Sequence, residues 1–124
     1  MNRKKIRTKI MIVLYQHLLI NKDIQILINE EYQMDYSMID DFSKSIIEDV
    51  LNNQQLYTDY IDHNLTGWSF NRLGFIEQAI LLMSCSEQRL ALNDNAIIIN
   101  EAVELAKTYC DDEAFKLING VLDK

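Results

Sequence analysis

The chain has no proline, and its only glycines are Gly67, Gly74 and Gly120. Proline cannot sit inside a helix without breaking it, and glycine is the next most costly residue there. Almost nothing in these 124 residues therefore interrupts helical structure. Apolar residues recur at helical spacing, while strict alternation, the mark of a half-buried strand, is hard to find. The pattern predicts an all-α protein of about seven helices. A length of 124 residues suits a single domain, 1–124, with one core that needs no metal or disulfide staple.

Helix boundaries follow from caps and apolar faces. Arg3 to about Ile20 forms the first helix, with Ile6, Ile10, Val13 and Leu14 turned inward. Asp23 to about Glu31 is a second. Ser37 is placed as the N-cap of a third, which carries Ile39, Phe42, Ile46, Ile47, Val50 and Leu51 and ends at Asn52-Asn53. Gln55 to Leu65 forms a further helix, and Thr66-Gly67 breaks the middle of the chain. Ser69 is expected to cap the longest helix, about Phe70 to Leu92, with Trp68 packing as its anchor. Ala96 to Tyr109 follows a polar loop at Asn93-Asp94-Asn95. Asp111-Asp112-Glu113 then places negative charge at the start of the last helix, where the dipole favours it. Gly120, inside that helix, implies close packing against another backbone.

The net charge of −7 speaks against a nucleic-acid partner if it is read as a total. Its distribution says otherwise. Residues 1–22 contain six bases (Arg3, Lys4, Lys5, Arg7, Lys9 and Lys22) and no acid, leaving six bases against all 19 acids in the remainder, a net of −13. A basic arm on an acidic body implies an anionic partner for one end. On a helix Arg3 and Arg7 lie one turn apart, as do Lys5 and Lys9, so the arm makes a basic rim of the kind that nucleic-acid backbones reward through counterion release.

Catalytic chemistry is sparse. His17 and His63 are far apart in the chain and have no second ligand at helical spacing, so no metal site is expected. Cys85 and Cys110 sit in apolar helical stretches and read as inert thiols of a reducing compartment. No phosphate loop or nucleophile elbow occurs. No catalytic residue and no cofactor are assigned. The apolar run Ile10–Tyr15 is too short to span a membrane and lacks a cleavage site after it, so neither anchor nor leader is expected, and the location is cytoplasmic.

Three blocks sharpen this reading. Trp68-Ser69 is followed by Arg72-Leu73, Ile76-Glu77 and Ile80-Leu81; Ile99-Asn100-Glu101-Ala102-Val103-Glu104-Leu105-Ala106-Lys107 precedes Tyr109; and Asn119-Gly120-Val121-Leu122-Asp123-Lys124 comes last. In order and spacing they resemble the NusB family of bacterial transcription antitermination proteins. The basic arm followed by Leu14-Tyr15 is similar to that family's arginine-rich first helix and its aromatic neighbour.

The resemblance implies two packed helical bundles. It also implies binding of boxA-type single-stranded RNA jointly with NusE, a small ribosomal protein, within the transcription elongation complex, notably on ribosomal RNA operons. It assigns RNA contact to Arg3, Lys4, Lys5 and Arg7, with Tyr15 and Tyr109 as candidate stacking residues, and gives Glu77 to the NusE-facing surface. Tyr15 and Tyr109 read equally well as packing residues. Some relatives self-associate, which implies a possible homodimer. The chain departs from the family pattern at Leu82, Ser86 and Leu117, the last replacing an aromatic residue. With the acidic body, that change motivates an alternative: a protein-interaction module of the same fold with weak or lost RNA binding.

Overall fold

A computed structural model describes residues 2–124. Among them are six α-helices, two short 3-10 turns and no strand: α1 (Arg3–Leu19), α2 (Ile24–Tyr32), α3 (Asp41–His63), α4 (Phe75–Arg89), α5 (Asn95–Tyr109) and α6 (Ala114–Leu122). The 3-10 turns, Tyr36–Met38 and Phe70–Arg72, precede α3 and α4. The all-α expectation holds, and the helix count falls one short of seven for a reason that lies in α3.

Helix starts are set by side chains that accept the free N–H groups of a first turn. Asn2 accepts from Lys5 N–H at 2.9 Å to begin α1, and Asp23 accepts from Gln25 N–H at 2.8 Å to begin α2. The third helix is capped by Asp40, whose carboxylate accepts from Ser43 N–H at 2.8 Å, and not by Ser37. Ser37 lies inside the preceding 3-10 turn, which Asp35 caps. Asn52-Asn53 does not end α3. Asn53 leaves helical geometry (φ −129°, ψ 23°), but the helix kinks there and runs on to His63. A polar network holds the kink: Asn53 Nδ2 donates to the Asp49 carboxylate at 3.0 Å, and Tyr57 OH donates to the same group. Ser86 Oγ on α4 joins them at 2.7 Å. Two expected helices are thus one, and α3, not the helix after Ser69, is the longest.

The segment after Ser69 also divides. Ser69 opens only the 3-10 turn, and α4 starts at Phe75 with Gly74 as its N-cap. At its far end α4 stops at Arg89, earlier than the apolar spacing implied. Leu92 N–H donates to Glu87 O at 3.2 Å and Ala91 N–H to Gln88 O at 3.1 Å, the paired bonds of a Schellman cap. Ala91 takes the left-handed position, φ +53°, that glycine normally fills.

Packing places α4 at the centre. It contacts α1, α3, α5 and α6, and Gln78 through Glu87 are all buried, a run that no surface helix shows. α1, α2 and α3 gather on one side of it and α5 and α6 on the other, so two bundles share one helix. The inner stripe of α1 is as expected: Ile6, Ile10, Val13 and Leu14 are buried, with Met11 and one charged residue, Arg7. Gly120 corrects the sequence reading. A β-carbon there would meet no atom within 4 Å, so close packing is not its reason. No helix among the described residues is long and apolar enough to cross a membrane.

Candidate nucleic-acid interface

The basic residues of α1 part company once the helix is packed. Successive side chains turn by about 100°, so a run of bases cannot all face one way. Arg3, Lys4 and Lys5 are exposed on the first turn. Arg3 sits over the Phe42 ring of α3, its guanidinium carbon 3.9 Å from the ring centre, while the residue stays exposed. Lys4 Nζ reaches Glu101 of α5 at 3.3 Å while staying in solvent. Among the described residues no carboxylate lies within ion-pairing distance of Lys5.

Arg7 points the other way, and the expectation of a continuous rim fails there. It is 5% exposed, with Nε 3.0 Å and Nη2 2.6 Å from the two carboxylate oxygens of Glu87, itself 1% exposed. Nη1 lies 3.7 Å from Glu101. Asn93 Nδ2 completes the shell of Glu87 at 3.0 Å. The fork of one arginine thus spans α4 and α5, and in this structure its donors are directed at protein carboxylates. Lys9 is likewise engaged, donating to Glu31 O at 3.1 Å.

Tyr15 is half-buried and packs against the core. Tyr109 is 44% exposed at the last residue of α5. Each stands eight residues beyond a member of the Arg7–Glu101 pair, about 12 Å along its own helix. Neither touches the exposed cations of the first turn through a described contact. Cys110, next to Tyr109, has its thiol pushed up to about 11 by burial, with the carboxylates of Glu77 and Asp111 adding to the effect. Burial alone pushes the Cys85 thiol up to about 12. Both are protonated near neutral pH and unsuited to nucleophilic work.

Glu77 sits in the first turn of α4, where its Oε1 accepts from Gly74 N–H at 3.2 Å. It also lines a groove of about 590 Å³ between the segment after α3 and the last helix, with Trp68, Arg72, Leu117, Gly120 and Lys124. Trp68 is 54% exposed on this groove, so it is not the buried anchor its place before α4 implied. Glu87 and Glu101 were not legible as site residues. Glu101 stands in one of the three sequence blocks with no role attached, and it pairs with bases 97 and 94 positions away. Ion pairs at that separation leave no spacing for a sequence pattern to reveal.

Comparison with known proteins agrees with this architecture. The family model described as the NusB family matches residues 4–124. A curated relative from Sulfurovum sp. (strain NBC37-1), named transcription antitermination protein NusB, is 37% identical over 123 residues, covering 98% of this chain and 95% of its own. The solved NusB of T. maritima superposes with a TM-score of 0.84 at 26% identity, over 99% of this chain and 89% of that one. A chain in the crystal structure of antitermination factors NusB and NusE in complex with double-stranded RNA has the same fold, with a TM-score of 0.82 at 24% identity, over 98% and 92% of the two chains.

Proposed function

The chain belongs to the NusB family, and from that premise we propose that it is an RNA-binding transcription antitermination factor. It binds boxA-type single-stranded RNA together with NusE and acts within the transcription elongation complex on ribosomal RNA operons. The observation that carries the reading is the first turn of α1: Arg3, Lys4 and Lys5 stand exposed on a chain whose residues beyond 22 carry a net of −13. That turn is the strongest concentration of outward positive charge in the sequence, and the acidic body directs a polyanion to it. Tyr15 and Tyr109 are the proposed stacking partners for unpaired bases, Tyr109 being the more accessible. Glu77 and the groove it lines, with charges of both signs on its rim and an exposed tryptophan, are proposed to receive NusE.

Fluorescence anisotropy with a boxA-like RNA, with and without purified NusE, tests this across about 50–200 mM salt. Three phosphate contacts on a single strand predict a slope of log K against log salt near −2. Glu77→Lys is expected to remove the contribution of NusE and to leave the RNA slope unchanged. No binding under any of these conditions would overturn the reading.

A further inference from the structure

The geometry points to a role for Arg7 that differs from that of its neighbours: we infer that it is a positioning residue, which fixes how α1 presents Arg3, Lys4 and Lys5, and that it does not itself touch RNA. This rests on the first-turn cations being the RNA face.

Three elements converge on this one side chain. Glu87 of α4 takes its Nε and Nη2, Glu101 of α5 faces its Nη1, and the Phe42 ring of α3 lies 5.5 Å from its guanidinium carbon. Arg3, one turn earlier on the same face, stacks at 3.9 Å on that same ring. A rotation of α1 that released Arg7 would move Arg3 off Phe42 and Lys4 off Glu101. The apolar stripe of Ile6 and Ile10 holds α1 against the body, but apolar contacts are non-directional and tolerate small rotations. A bidentate fork onto a buried carboxylate does not.

Direct contact is disfavoured by the same facts. To reach a phosphate, Arg7 would abandon a carboxylate that is itself almost wholly buried, exchanging a desolvated pair for a solvated one and leaving Glu87 without its main partner.

The test uses the full chain, a boxA-like RNA with NusE present, and a salt series, at a temperature where circular dichroism shows each variant folded. Lys5→Ala, a proposed contact, should make the salt slope shallower by about 0.7. Arg7→Met leaves Glu87 buried and unpaired, so the arm shifts. Its affinity should fall about tenfold or more, and the slope should become shallower as phosphate contacts are lost. Arg7→Met combined with Glu87→Met removes both charges and leaves the net charge at −7. It should bind within about threefold of the wild type, with the wild-type slope restored. A folded double variant that stays weak and has the shallower slope of Lys5→Ala would make Arg7 a contact and overturn the inference. So would a folded Arg7→Met that binds like the wild type, since Arg7 would then be structural only. If Arg7→Met fails to fold, the double variant still separates contact from positioning. A wild type that binds no RNA removes the reading beneath, and the inference goes with it.

Discussion

Removing Arg7 should cost this protein a large part of its stability, and the structure says how much. In Arg7→Met the alkyl stem keeps its packing, so little apolar contact is lost. What disappears is a guanidinium that gives two charge-assisted hydrogen bonds, at 3.0 and 2.6 Å, to a carboxylate 1% exposed. Breaking a buried pair from one side costs about 3–5 kcal/mol, because the remaining charge is stripped of both water and partner. Asn93 still donates to Glu87 at 3.0 Å, which puts the expectation near the lower end, about 3 kcal/mol. Against a total of about 5–15 kcal/mol that is a substantial fraction. For a domain of this size it lowers Tm by roughly 10 °C. Urea unfolding followed by circular dichroism should show the midpoint falling with an unchanged m value, since the surface exposed on unfolding is the same. Adding Glu87→Met should restore stability to within about 1 kcal/mol of the wild type, because an ion pair replaced as a whole by apolar residues is close to neutral. A single variant that loses under about 1 kcal/mol, or a double variant whose losses simply add, would refute the account of a desolvated, mutually dependent pair.

Two further outcomes follow from other parts of the molecule. Tyr32 is buried and donates its hydroxyl to Ser43 at 2.8 Å, and burial pushes its phenol up to about 12. The folded state therefore holds this proton more tightly than the unfolded chain does. Its contribution is whole below about pH 10 and is lost as pH rises towards 12. Urea midpoints at pH 9 and 11 should fall less for Tyr32→Phe than for the wild type, and equal falls would mean that Tyr32 titrates as though exposed. Ala91→Gly should stabilise the fold by about 0.5–1 kcal/mol, because relief of left-handed strain outweighs the added freedom of the unfolded chain. A loss of stability in thermal unfolding would show that the cap tolerates alanine without strain.

Much of the fold was legible because helices are local. The inner face of α1, the start of α2 near Asp23 and the break at Gly67 all follow from residues within a turn of one another. The misreadings share a cause. At Asn53 the sequence offers a stop signal, but Asp49, Tyr57 and Ser86 supply partners that carry the helix through a kink. At Ala91 the cap uses an alanine, so no glycine marks the end of α4. Ser37 and Ser69 resemble N-caps, yet Asp40 and Gly74, a few residues on, begin the helices, and spacing alone does not decide between neighbouring candidates. Trp68 and Gly120 have the chemistry of packing residues, yet both line an open groove.

By itself the sequence determined the class of the fold and the end of the chain that carries positive charge. Both are properties of composition along the chain: helical spacing without breakers, and six bases with no acid in the first 22 residues. Which of those bases face solvent was decided only by tertiary structure. A helix turns its residues through every direction, and what lies beneath them comes from other segments: Glu87, 80 residues on, for Arg7, and Glu101, 97 residues on, for Lys4. The same charge is a surface feature at position 5 and a buried tie at position 7, because position 7 faces α4, with Glu101 of α5 beside it, while position 5 turns away to water.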